Sequence, residues 1–154
     1  MFLAKLSPEG EAEWTRRVGL PTNNMGRMVV ESDDGGLVVL MTAQDAFSPH
    51  KKNIEVIKFS PSGEVVWAVE VRAPFGDDSP KKAIADGSGV LIAGYTTSEG
   101  DQNKSVILIK LDSEGNKEWI KIIGGLFNTN SQAIIKLKPS GYALCGYANY
   151  VSSG

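Results

Sequence analysis

The run Leu3-Ala4-Lys5-Leu6-Ser7-Pro8-Glu9-Gly10, closed by Trp14, returns twice in this chain. It reappears as Val56-Ile57-Lys58-Phe59-Ser60-Pro61-Ser62-Gly63 with Trp67, and as Leu108-Ile109-Lys110-Leu111-Asp112-Ser113-Glu114-Gly115 with Trp119. The lysine, the glycine and the tryptophan each step by 53 and then 52 residues. A second marker keeps the same register: Asp34-Gly35-Gly36, Gly87-Ser88-Gly89 and Pro139-Ser140-Gly141 each precede an apolar run, and each final glycine lies 31 residues after a repeated lysine. The one-residue difference falls in the loop before Lys58, Ala43 to Asn53. A fixed period of this length means tandem units, each burying its apolar surface against its neighbours. The 154 residues therefore read as one domain, 1–154, of three repeats at about 1–53, 54–105 and 106–154.

Both markers have the chemistry of hairpin turns. Glycine supplies a positive φ, and Asp, Asn, Ser and Pro suit the other turn positions. Two hairpins per unit make four strands. The runs Leu37 to Met41, Val90 to Ala93 and Tyr142 to Cys145 are short, apolar and nearly continuous, as strands covered on both faces are. The runs around the repeated lysines alternate more. No segment keeps a 3.6-residue period over three turns, so the expected fold class is all-β. Four antiparallel strands in about 52 residues is the size of a propeller blade.

The pattern K-L-D-S-E-G-N-K-E-W, followed by I-K-I-I-G-G at Ile120 to Gly125 and preceded in the unit before by a D-G-G turn, resembles the β-propeller repeats of many bacterial and archaeal proteins, over the whole chain. It is also similar to the tryptophan-docking motif of quinoprotein propellers, although Glu9, Ser62 and Glu114 occupy the place where that motif usually carries Thr. The resemblance implies blade packing rather than chemistry. Trp14, Trp67 and Trp119 would be wedges between sheets, each burying on the order of 200 Å².

Named from inner (A) to outer (D), the tryptophan hairpin is C and D and the glycine hairpin is A and B. The strand order is then CD-ABCD-ABCD-AB. The first half-blade, Phe2 to Val18, and the last, Ile134 to Tyr150, are complementary, and each exposes an edge that the other could pair. Closed propellers usually have four to eight blades. Two chains head to tail would give six, so a homodimer through strand exchange at shared blades is expected. The other assembly readings are a segment of a longer array and a trimer.

Sixteen basic and eighteen acidic residues are scattered without a run of five or more of one sign, which argues against a nucleic-acid partner. No apolar stretch is long enough to span a membrane as a helix, and Met1 to Leu6 is not a secretory h-region. Compartment stays open: cytoplasmic as given, extracellular for an excised segment of a longer protein. The single cysteine, Cys145, is expected as a small buried thiol. His50 is the only histidine, so a multi-histidine metal site cannot be built within one chain.

The loops on one rim carry Asn23, Asn24, Phe75, Asp77, Asp78, Phe127, Asn128 and Asn130, amides, carboxylates and aromatics able to stack on and bond a sugar or peptide. Turn chemistry alone also explains such residues. Asp77-Asp78 could hold a hard cation, and Asp112-x-Glu114-Gly115 has a faint calcium-loop pattern, but its counterparts Ser7-x-Glu9 and Ser60-x-Ser62 lack the repeated carboxylates. Neither a catalytic site nor a cofactor motif is visible. The expected function is a noncatalytic module that recognises a protein, peptide or carbohydrate at the rim. The alternative is an enzyme or cofactor-binding propeller whose site forms at the channel of an assembled ring, from copies of Asp77, Asp78 or Arg27.

Overall fold

A computed structural model of the chain describes residues 1–18, 24–44, 51–73, 76–87, 89–97, 103–124 and 128–149. These hold twelve strands and no helix: β1 (Phe2–Leu6), β2 (Ala12–Arg17), β3 (Met25–Glu31), β4 (Leu37–Gln44), β5 (Lys52–Phe59), β6 (Val65–Val71), β7 (Asp78–Asp86), β8 (Gly89–Thr97), β9 (Lys104–Leu111), β10 (Lys117–Ile123), β11 (Asn128–Lys136) and β12 (Tyr142–Asn149). They form four antiparallel sheets. Sheet I is β1-β2, sheet II is β3-β4-β5-β6, sheet III is β7-β8-β9-β10, and sheet IV is β11-β12. The grouping two, four, four, two matches the expected order of strands, and every pairing is between strands consecutive in sequence.

Three apolar layers join the sheets in chain order. Leu3 and Val18 of sheet I meet Val39, Met41, Ile57 and Phe59 of sheet II. Val38, Leu40, Ile54 and Val56 on the other face of sheet II meet Val90, Ile92, Ile107 and Ile109 of sheet III. Leu91, Ala93, Val106 and Leu108 then cover Ile134 of sheet IV. Side chains alternate between the faces of a strand, so β4 and β8, which supply both odd and even residues to these layers, have to be apolar throughout.

The two markers use glycine for two reasons. Gly10, Gly63 and Gly115 sit at φ +86, +83 and +84, each amide bonding back to the carbonyl three residues earlier, in Ser7, Ser60 and Asp112. In the other marker Gly35 and Gly87 take the positive φ, whereas Gly36 and Gly89 are needed for space: a Cβ there would lie 2.5 Å from the Phe59 carbonyl oxygen and 2.2 Å from that of Leu111.

Candidate functional site

The tryptophans dock on the glycine turn of the following sheet. The Trp14 indole lies over Gly63, where an added Cβ would stand 3.0 Å from Cδ2, and its Nε1 donates to the Pro61 carbonyl at 3.3 Å. Trp67 repeats this on Gly115, with a 2.9 Å approach and an Nε1 bond to the Ser113 carbonyl at 2.8 Å. Arg16 reinforces the first contact by donating to the Gly63 carbonyl and pairing with Glu64. The series is open at both ends. Gly10 has the same backbone conformation but nothing within 4 Å of a Cβ placed on it, and Trp119, packed from below by the third apolar layer, has no glycine turn over it among the described residues.

The repeated lysine is buried in the two complete sheets, Lys58 at 4% exposure and Lys110 at 8%. A buried ammonium needs a counter-charge. Asp34 supplies it for Lys58 at 2.5 Å, and Asp86 for Lys110 at 2.7 Å. Asp86 also pairs with Lys136 of β11 and accepts the Tyr142 hydroxyl of β12, so one carboxylate ties sheet III to sheet IV. The Lys58 bond, with help from Ser32 and Gly36, holds the Asp34 carboxyl well below its usual range. For Asp86 burial pushes upward, but the bonds from Lys110, Lys136 and Tyr142 together outweigh it and leave the carboxyl well below that range. The bond to Asp86 is also the main reason the Tyr142 phenol is pushed up to about 12. Lys5, by contrast, is exposed and pairs with Glu13.

The residues expected at a loop rim separate into distinct roles. Asp77 accepts the Lys52 amide at 2.9 Å and Asn128 accepts the Lys104 amide at 3.2 Å. Each caps the first residue of the third strand of the preceding sheet. Asp78 is 1% exposed; its Oδ2 accepts the Ala73 amide while Oδ1 has no partner. Burial pushes its carboxyl upward against the Ala73 amide and the Thr96 hydroxyl. Asn130 is buried too, donating Nδ2 to the Tyr147 hydroxyl and leaving Oδ1 unpaired. Asn24 lines a cleft of about 460 Å³ with Met25, Arg27, Thr42, Gln44 and Lys52. Asn23, Phe75 and Phe127, like His50, lie outside the described residues. The Asp112 carboxylate is occupied by the amides of Glu114 and Asn116 in its own turn, and the described residues hold no group of three metal-ligating side chains.

Sequence reasoning placed the first strand of each glycine hairpin, β3, β7 and β11, but not the irregularity they share. Each skips one residue in its pairing at the same point: Arg27 between Gly26 and Met28, Lys81 between Pro80 and Lys82, Gln132 between Ser131 and Ala133. A bulge re-aims the side chain it carries.

β1 and β12 are edge strands of the two-stranded sheets. Cys145 is exposed, in contrast to the buried thiol the apolar run suggests, because no strand among the described residues covers the outer edge and face of β12. Its repeat equivalents, Leu40 and Ala93, are both 0% exposed. Between β1 and β3 runs an apolar groove of about 370 Å³, lined by Met1, Phe2, Leu3, Met28, Val29 and Val39 among others.

No protein-family model and no curated protein matches the chain.

Proposed function

We propose that the four sheets are blades of a β-propeller, that two copies of the chain close a six-bladed ring head to tail, and that the ring is a noncatalytic platform recognising its ligand at the loop rim. The observation that carries this reading is the mismatch between what β12 is and where it sits. Tyr142-Ala143-Leu144-Cys145 has the composition of β4 and β8, which are covered throughout, yet β12 is exposed from Ala143 to Asn149. The β4–β5 and β8–β9 ladders both place the second residue after the marker glycine opposite the repeated lysine, Val38 with Lys58 and Leu91 with Lys110. Applied to β12 and the β1 of a second copy, that register sets Ala143 opposite Lys5 and Cys145 opposite Leu3. The same arrangement brings Trp119 of one copy to the open Gly10 turn of the other. It also fills the groove beside β1 with the two inner strands that sheet I lacks.

A binding rather than catalytic role is supported by the commitments of the ionisable groups. Asp34, Asp86 and Asp77 are engaged in structural bonds, and the bulges of the innermost strands present Arg27, Lys81 and Gln132, which can hold a ligand but form no paired acid and base. Light scattering across a range of concentrations tests the assembly: a stable mass twice that of the chain is expected. A mass that stays at one chain, or grows without limit, refutes the closed ring.

A further inference from the structure

We propose that the two complete sheets each carry a subsite for the phosphate group of a small ligand, built from a bulged cation on the innermost strand and the lysine that opens the third strand. The two constellations are repeat equivalents. In sheet II, Arg27 leaves the β3 ladder at the bulge and donates Nε to the Thr42 hydroxyl at 3.0 Å, while Lys52 begins β5 and lines the same 460 Å³ cleft. In sheet III, Lys81 occupies the bulge, Tyr95 the place of Thr42, and Lys104 begins β9. The Lys81 and Lys104 ammonium groups lie 5.5 Å and 4.6 Å from the centre of one ring, that of Tyr95. Two cations held against one ring repel each other, and among the described residues neither has a carboxylate partner. The ring offsets part of that repulsion; a phosphate reached by both ammonium groups at the edge of the ring would offset the rest, through charge-assisted bonds.

The neighbouring groups rank the subsites. The Lys52 amide is accepted by the carboxylate of Asp77, whereas the equivalent residue at Lys104 is the uncharged Asn128. The Lys81–Lys104 pair therefore has the higher positive charge and is the stronger site. The inference deepens the rim-binding reading by naming the ligand's charged group, and rests on it for the location of the rim. Each pair is nevertheless complete within one chain and does not require ring closure.

The probe is inorganic pyrophosphate, titrated at constant ionic strength and followed by calorimetry and by NMR shifts of the Tyr95 region. Saturable binding is expected, with K81Q/K104Q weakening it by about tenfold or more, as loss of two charge-assisted contacts implies, and K81R/K104R retaining it. Circular dichroism confirms that each variant is folded. Absence of saturable binding in the unmodified chain, or binding unchanged in K81Q/K104Q, overturns the proposal. The mass of the same samples keeps the two readings apart: a doubled mass without binding removes the anion subsite alone, and binding by a single-chain species upholds the subsite while removing the closed ring.

Discussion

Gly115→Ala and Gly10→Ala are the same substitution in the same turn at nearly the same φ, +84 and +86, and differ only in what stands above them. Forcing alanine to a positive φ costs about 1 kcal/mol at either site. At Gly115 the new methyl also lies 2.9 Å from Cδ2 and Cε3 of Trp67. Relieving that overlap costs about 1–3 kcal/mol, and moving the indole endangers its 2.8 Å bond to Ser113, worth about 1 kcal/mol. The single chain should then lose about 3 kcal/mol with Gly115→Ala and about 1 kcal/mol with Gly10→Ala. In melting temperature these are drops of roughly 10 °C and 3 °C for a domain of this size. At concentrations where two chains associate, the second variant changes character. If Trp119 of one copy docks on Gly10 of the other, each of the two contacts in a closed pair loses about 2 kcal/mol beyond the φ cost, and the dimer dissociation constant rises by about a thousandfold. Thermal unfolding of dilute protein and sedimentation equilibrium measure the two halves. Equal melting losses for the two variants in dilute protein would refute the docking argument, and an unchanged dissociation constant for Gly10→Ala would refute the assignment of Trp119 to that turn.

The charged ties give a second contrast. Asp34→Ala strands the buried Lys58 and Asp86→Ala the buried Lys110, so each should cost about 3 kcal/mol, the Asp86 loss being the larger because that carboxylate also holds Lys136 and Tyr142; urea midpoints at neutral pH check the pair, and a loss at Asp34 equal to or larger than that at Asp86 refutes the ranking. Because the Asp34 and Asp86 carboxyls are held below their ordinary value of 3.8, the stability they contribute is fully present above that pH and is lost as pH falls below it. Asp78 acts in the opposite sense, since its raised carboxyl favours the folded state at low pH and that contribution disappears as pH rises through its folded value. Asp78→Asn should therefore flatten any loss of stability on the way up from pH 3.8 without altering the acid limb, as read from urea midpoints against pH. Finally, Leu3→Cys should form an interchain disulfide with Cys145 under mild oxidation, since directly opposed residues of an antiparallel pair fall within the Cα separation a disulfide accepts. Cross-linking of Ala4→Cys in preference to Leu3→Cys would refute the proposed register.

The hairpin and strand framework was legible because two markers, one lysine-glycine-tryptophan and one glycine-rich, hold a common period that side-chain chemistry makes hard to shift. What escaped the sequence reading departs from that period or inverts a residue's usual habit. Arg27 was named as a channel candidate, but not the bulge it shares with Lys81 and Gln132: the three step by 54 and then 51, out of phase with the 53 and 52 of the markers, so alignment alone does not bring them together. The repeated lysine was visible as a landmark, but lysine is seldom buried. Its acidic partners hide the pairing, because Asp34 lies two residues before its marker glycine and Asp86 three. Asp77 and Asn128 look like ligands in sequence and cap strand amides in the structure. The amide they accept belongs to the preceding sheet and is not adjacent in sequence.

The proposed ring also explains why two copies should stop at two. A head-to-tail contact that does not close can add chains indefinitely, and each further contact then meets the full loss of translational and rotational freedom. In a closed pair the second contact forms between chains already joined, so two sets of strand pairing and two tryptophan sockets are gained for a single association cost. The apolar side chains left exposed at the two ends, Phe2, Leu6 and Val29 near one edge and Ile135, Leu144 and Tyr147 near the other, would each contribute about 1.5–3 kcal/mol if fully covered. Closure covers both groups at once, whereas every open chain of copies leaves one group of each kind in water.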